Sequence, residues 1–318
     1  MSNIKYLIKI GEKAKIASAQ LSQLDNKEKN KVLSDFLKCI KSNKSKILKA
    51  NKVDIEKSKK NKIKDNLIDR TMLNEDRINS ICTSIEEVMS FQDPTNKTLS
   101  SWKRPNGLII QRVTMPIGVI AVIYEARPNV TADVSVLCFK SGNTAILRGG
   151  KEAFHTNIVL SNLFRKCLEK NKINPDCVQL INSTNRILVD YILSKMANYV
   201  DVIIPRGGKS LVEKVLNLST VPTIGHLEGL CHIYLDKNFN FNLANKILIN
   251  SKLRRTSICG AAETLLINNQ INKKIIFQLL MNLREAGCKI IADKNIKKIF
   301  PDSILAKSKD WKTEYLEA

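Results

Sequence analysis

No Cys-x-x-Cys pair occurs in this sequence, although it holds eight cysteines: Cys39, Cys82, Cys138, Cys167, Cys177, Cys231, Cys259 and Cys288. Their scatter excludes the ligand spacing of a zinc ribbon and the framework of a small disulfide-stapled domain. Most cysteines in such a chain are small buried hydrophobes, which leaves at most one or two for chemistry. Histidine is scarce too, and His226 and His232 lack the spacing and the partner of a zinc site. No apolar run is long enough to span a bilayer. No apolar core segment follows the two lysines of Met1–Lys9, so a signal peptide is not expected and a cytoplasmic setting is. A Pro/Gly/Ser-rich linker and an internal repeat are also missing. What is plentiful is apolar surface, 43% of 318 residues, enough for one large domain or two moderate ones with real cores.

Acidic residues are outnumbered, 30 against 52 Lys and Arg, for a net charge of +22. A chain this basic can bind nucleic acid or an anionic membrane. Here the lysines are mixed with Asn and Ile and are densest in the N-terminal third, as in Lys57-Ser58-Lys59-Lys60-Asn61-Lys62. No aromatic stacking motif, helix-turn-helix or RNP-like string accompanies them. The charge therefore reads as a solvated surface that favours anionic small ligands, with neither nucleic acid nor membrane as partner.

Residues 3 to about 92 read as helices with polar breaks, since Val32, Leu33, Phe36, Leu37 and Ile40 share one face, as do Ile81, Ile85 and Val88. Asn106-Gly107, followed by Leu108-Ile109-Ile110, signals a hairpin over Trp102–Val113. From there strands and helices alternate. Strands are expected at 117–124, 144–147, 178–181 and 200–204, with helices at 131–140, 153–169 and 187–196. A further β–α–β stretch runs from His232 through 243–249 to 264–267. Such alternation implies parallel strands with crossover helices, an α/β doubly wound sheet.

Two loops echo each other: Arg148-Gly149-Gly150-Lys151 and Arg206-Gly207-Gly208-Lys209, each after a strand and before a helix. Paired glycines let a backbone approach phosphate, and the following helix N-terminus attracts anions. Neither loop is a Walker A sequence, and no G-x-G-x-x-G is present, so dinucleotide binding and a plain turn both stand. Cys259 follows the basic segment Lys252-Leu253-Arg254-Arg255 and precedes Gly260-Ala261-Ala262, a setting that favours a thiolate nucleophile; the alternative is an inert structural cysteine. Cys231, in an apolar run, is the weaker rival. Glu228, between Leu227 and Gly229, is either a general base or a solvated loop residue.

Taken together, the string Met115 to Thr131, with Glu125-Ala126-Arg127-Pro128-Asn129-Val130-Thr131 at its heart, resembles the signature of the γ-glutamyl phosphate reductases (glutamate-5-semialdehyde dehydrogenases) of the aldehyde dehydrogenase superfamily. Gly142 to Ala153, Ile204 to Lys209 and Arg255 to Cys259 resemble further segments of that family, in order along essentially the whole chain. The resemblance implies an NADPH-binding Rossmann-like domain at 1–98 and 114–225, an oligomerisation hairpin at 99–113 and a smaller α/β catalytic domain at 226–318. It implies NADPH-dependent reduction of L-glutamyl 5-phosphate to glutamate 5-semialdehyde, the second step of proline biosynthesis from glutamate, through a thioester on Cys259. Asn129 and the Cys259 N–H are the implied oxyanion donors. Glu228 falls where wider aldehyde dehydrogenases activate water, and Glu314 where they bind the nicotinamide ribose. Arg127, Arg254 and Arg255 are the implied partners of the substrate's carboxylate or phosphate. Arg148, Gly149, Gly150, Lys151, Arg206, Gly207, Gly208 and Lys209 are the implied cofactor contacts, Arg148 and Lys151 standing where a 2′-phosphate would be met. Ser257 stands where a smaller residue, often glycine, is expected. A homo-oligomer and a functional association with glutamate 5-kinase also follow from the resemblance. Members of the family continue for roughly a further hundred residues, about one small domain's worth. The chain alone is therefore expected to be poorly active and prone to associate, with a non-catalytic remnant that still binds NADPH as the alternative.

Overall fold

The computed structural model describes residues 2–63, 65–225, 227–256 and 258–318. The chain divides into two compact units, Met1–Gly225 and His226–Ala318.

The first unit opens with five helices: α1 (Ser2–Leu21), α2 (Asn26–Ser42), α3 (Lys44–Lys60), α4 (Asp65–Thr71) and α5 (Glu75–Ser90). Their starts are written in the sequence. Asp25 accepts the Glu28 N–H at 2.8 Å while Glu28 accepts the Asp25 N–H at 2.9 Å, a capping box that begins α2. Next comes an antiparallel hairpin of β1 (Thr98–Lys103) and β2 (Ile109–Val113). The Asn106-Gly107 pair that signals the hairpin lies in its turn. The Gly107 N–H donates to Arg104 O at 2.9 Å across Pro105-Asn106, and Gly107 has φ +88°. This is a four-residue turn with proline at its second position and a left-handed glycine at its end, the three-residue hairpin loop with a bulge.

Beyond the hairpin run β3 (Val119–Tyr124), α6 (Pro128–Lys140), β4 (Thr144–Arg148), α7 (Phe154–Lys170), β5 (Val178–Leu180), α8 (Ile187–Lys195), β6 (Val202–Arg206) and α9 (Lys209–Leu218). Among the described residues the four strands form one sheet in the order β5-β4-β3-β6, every neighbour parallel. All six residues of β3 are buried, as expected of a central parallel strand covered on both faces. Alternate residues serve opposite cores. Ile120, Val122 and Tyr124 join Phe36, Phe139 and Phe164 on one face. Val119, Ala121 and Ile123 join Leu7, Ile192 and Val215 on the other. Each fully buried aliphatic or aromatic side chain here contributes about 1.5–3 kcal/mol.

The chain moves from β3 to β4 and β5 on one side, then returns to place β6 on the other. The carboxyl ends of β3 and β6 thus flank a topological switch point, where open α/β sheets form a crevice. Glu125 follows β3, Gly149 follows β4 and Gly207 follows β6, so the sheet itself brings both Gly-Gly-Lys loops and the Glu125 string to one edge.

The second unit holds β7 (Cys231–Leu235), α10 (Phe241–Leu253), β8 (Ala262–Ile267), α11 (Lys273–Glu285), β9 (Ile291–Ala292), α12 (Lys294–Ile299) and β10 (Ile304–Leu305). β7 and β8 pair in parallel, the β–α–β unit that the alternation predicts. Leu235, Leu248, Leu279, Leu280 and Phe300 make its core.

Candidate active site

Within the first unit, the loop after β4 is closed by contact. A Cβ on Gly149 would lie 2.3 Å from Asn157 Nδ2, and one on Gly150 would lie 2.9 Å from the backbone N of Ala126. The Arg148 guanidinium is half-buried. It donates to Gly149 O at 3.0 Å and Thr184 O at 3.1 Å, tying the loops after β4 and β5 together, while its Nε is buried without a hydrogen-bond partner. Burial holds its pKa below the usual arginine value. Lys151 is exposed at the head of a short 3₁₀ turn, Lys151–Ala153, that leads into α7.

The first-turn amides of α7 are not open to an outside anion. Asp54, 2% exposed, accepts the His155 N–H at 3.1 Å and the Thr156 N–H at 2.8 Å, along with the Thr156 hydroxyl at 2.7 Å and His155 Nδ1 at 2.7 Å. A carboxylate from α3 thus fills the site that a helix N-terminus offers.

The loop after β6 is filled in a similar way by different means. Glu125 Oε2 accepts the Gly208 N–H at 2.9 Å, and a Cβ on Gly207 would lie 2.7 Å from the Glu125 carboxyl carbon. The Glu125 N–H donates to Arg206 O at 3.1 Å. The side chains of Arg206 and Lys209 are exposed.

Between these loops lies the start of α6. Arg127 is its half-buried N-cap residue and Pro128 its first residue. The Asn129 amide donates to Asp133 Oδ2 at 2.9 Å, one turn on. Burial pushes the Asp133 carboxyl above the usual aspartate range, against the opposing Asn129 hydrogen bond, and its Oδ1 is buried with no partner. Below it the Tyr124 hydroxyl meets Thr131 Oγ1 at 2.6 Å, and Thr131 donates to Asn157 Oδ1 at 2.8 Å. Part of the 115–131 string is therefore a buried brace under the loops.

In the second unit, Cys259 occupies a tight turn closed by the Ala261 N–H on Ile258 O at 3.0 Å, just ahead of β8. Its side chain is half-buried. The Cys231 thiol donates to Cys259 O at 3.3 Å, and a Cβ on Gly229 would lie 2.4 Å from that same oxygen. Of the basic residues ahead of the turn, Arg254 and Arg255 are exposed, whereas Lys252 is paired with the buried Glu263 at 2.9 Å. Glu228 is exposed. Glu314 is half-buried, and its Oε1 has no hydrogen-bond partner among the described residues. A groove of about 1270 Å³ in this unit is lined by residues including Leu265, Ile276, Leu280 and Tyr315, and Cys259 is not among its lining residues. Ser257 and His226 lie outside the described residues.

The sequence reading missed Asp54, Asp133 and Gly229, and it assigned no role to Glu125. Asp133 was detectable as an i,i+4 partner of Asn129 on one helix. Asp54, on a different helix from the amides it holds, left no local signal.

Comparison with known proteins agrees with this architecture. Residues 4–292 match the aldehyde dehydrogenase family. The γ-glutamyl phosphate reductase of Bartonella tribocorum is 43% identical over 309 residues, 97% of this chain and 75% of that protein. That of Brucella suis is 41% identical over 312 residues, 98% of this chain and 74% of the relative. The crystal structure of γ-glutamyl phosphate reductase from Thermotoga maritima superposes with a TM-score of 0.93 at 35% identity, covering 98% of this chain and 75% of that one. Identity at this level along nearly the whole chain, on the same fold, means that the chain belongs to the aldehyde dehydrogenase family, among the γ-glutamyl phosphate reductases.

Proposed function

We propose that this chain reduces L-glutamyl 5-phosphate to glutamate 5-semialdehyde with NADPH, through a thioester on Cys259, in proline biosynthesis. The observation that carries the reading is the placement of Cys259: a half-buried thiol on a tight turn, preceded by the exposed Arg254 and Arg255 and flanked by Gly229. The thiolate attacks the acyl carbon, a C–S bond forms, and the bond from carbon to the phosphate oxygen breaks. Phosphate leaves with that electron pair. Arg254 and Arg255 offer forked donors to the phosphate or carboxylate of the substrate. The charge that develops on the carbonyl oxygen is met by the Cys259 N–H. Once the acyl group is reduced, the C–S bond breaks and sulfur departs as thiolate. Because the leaving group is phosphate, Glu228 has no water to activate and plays at most a supporting part.

The residues at the sheet edge fit a phosphorylated dinucleotide. Lys151 and Arg206 are exposed beside paired glycines, and Arg148 keeps a buried Nε without a partner. A bound NADPH supplies the electron pair and hydrogen that reduce the acyl group. Lys151 offers a cation to a 2′-phosphate and no acceptor to a free 2′-hydroxyl. Gly207, Gly208 and Lys209 line the second loop, and the unpartnered Oε1 of Glu314 suits a ribose hydroxyl. On this reading residues 1–98 and 114–225 bind the cofactor and 226–318 carry catalysis. The 99–113 hairpin, which exposes Leu99, Trp102 and Ile109, contributes to a homo-oligomer. An association with glutamate 5-kinase, which makes the labile acyl phosphate, belongs to the same reading.

Mass spectrometry of protein quenched after exposure to the acyl phosphate tests the thioester. The adduct is expected on the Cys259 peptide, absent in Cys259→Ala and present in Cys231→Ala. An adduct on Cys231 alone would overturn the assignment.

A further inference from the structure

We propose that Cys231 is a positioning residue for the nucleophile, acting through the main-chain carbonyl of Cys259, with Gly229 as its companion. The proposal rests on the reading that Cys259 carries the acyl group.

Three features support it. Among the described residues the turn that holds Cys259 has one main-chain hydrogen bond of its own, Ala261 N–H to Ile258 O, which bridges the Cys259–Gly260 peptide without bonding to it. Gly260 is exposed, and a Cβ there would meet nothing within 4 Å. The orientation of that peptide is therefore set from outside the turn. The outside contact is the Cys231 thiol, 3.3 Å from Cys259 O. Gly229, two residues earlier, lies so close that a Cβ would sit 2.4 Å from Cys259 O and 2.9 Å from Cys259 Cβ. Residues 229–231 thus press on both the carbonyl and the Cβ that bears the sulfur.

The strand register explains how Cys231 reaches this position. Cys231 pairs with Ala262 and His232 with Thr264, so Glu263 is an extra residue in β8 at this point. An irregularity of this kind bends the strand and re-aims the neighbouring side chain. Here it lets the first residue of β7 address the turn rather than continue an even ladder.

The chemical consequence follows from orientation. Fixing the carbonyl fixes the tilt of the turn that presents the Cys259 side chain and N–H to the substrate. A thiol is a weak donor with an apolar body, suited to a half-buried site against Gly229. Serine keeps the donor; alanine removes it.

The test compares Cys231→Ser, Cys231→Ala and Gly229→Ala in the full chain. Iodoacetamide labelling of Cys259 is followed by peptide mass spectrometry as a function of pH, beside kcat, KM and thermal stability. Loss of one hydrogen bond corresponds to about tenfold or less. Cys231→Ala is expected to lower kcat by up to about tenfold with little change in KM, and to slow Cys259 labelling across the pH range. Cys231→Ser should restore both to within about threefold of the parent. Gly229→Ala should slow labelling further, independently of residue 231. An unchanged labelling profile in Cys231→Ala, with or without a fall in stability, overturns the proposal while leaving Cys259 as nucleophile. Full activity in Cys259→Ala, or acyl transfer to residue 231, overturns the underlying reading instead.

Discussion

Arg148-Gly149-Gly150-Lys151 and Arg206-Gly207-Gly208-Lys209 are the same four residues at the carboxyl ends of two parallel strands, yet the molecule uses them differently. In the first loop the arginine is half-buried and braces main-chain carbonyls, and the following helix is capped from α3 by Asp54. In the second the arginine is exposed, and Glu125, from the end of β3, takes the amide at the head of α9. Both helix N-termini thus have carboxylates of the protein's own. A repeated tetrapeptide signals a similar backbone path, and its neighbours decide what each loop can hold.

The largest contrast concerns the two carboxylates. Asp54→Ala leaves the buried Thr156 N–H and the part-buried His155 N–H without their acceptor, and leaves the Thr156 hydroxyl with only the Asn51 amide that donates to it. It is expected to destabilise the first unit by about 3 kcal/mol. Glu125→Ala removes a single, more exposed amide bond and should cost about 1 kcal/mol. Urea unfolding followed by hydrogen exchange in α7 and α9 measures both, and equal losses would erase the distinction.

Next come the second glycines of each loop. Gly150→Ala brings a Cβ to 2.9 Å from the backbone N of Ala126, whereas in Gly208→Ala the nearest atom is the Glu125 carboxylate at 3.7 Å. Overpacking against backbone costs about 1–3 kcal/mol, so the first should lower stability by about 2 kcal/mol and the second by under about 0.5 kcal/mol. Thermal melts of the two variants decide it.

Cofactor choice sharpens the same comparison. Lys151→Glu is expected to reduce the preference for NADPH over NADH by about ten- to hundredfold, and Arg206→Gln by about threefold or less. The ratio of kcat/KM for the two cofactors is the measurement. A larger effect at Arg206 would transfer the 2′-phosphate to the second loop.

The smallest expected effect is at Asp133, a carboxyl with one partnered and one orphaned oxygen. Because burial raises its pKa in the folded state, its contribution to stability is full below the ordinary aspartate value and is lost as pH rises through the raised value. Asp133→Asn should therefore raise the melting temperature slightly at neutral pH and leave it unchanged in acid below the ordinary aspartate range. A stabilisation independent of pH would contradict the assignment.

The alternation of apolar runs and amphipathic stretches determined the parallel sheet, because Val119–Tyr124 is too apolar to face water on either side and the helices around it are long enough to cross back. The sequence also singled out Cys259 and the two glycine loops as candidates, since a basic run before a cysteine and a pair of glycines are local features. The hairpin's location was legible but not its turn type, where Pro105 and the left-handed Gly107 set the geometry. What only the tertiary structure decided is which amides and cations the site has to offer. Asp54 is about a hundred residues from the helix it caps (|i−j| = 102 to Thr156), Glu125 is 83 residues from Gly208, and Cys231 is 28 from Cys259. No local pattern encodes such pairs, because each hydrogen bond depends on where two separate elements come to rest when the sheet and its helices pack.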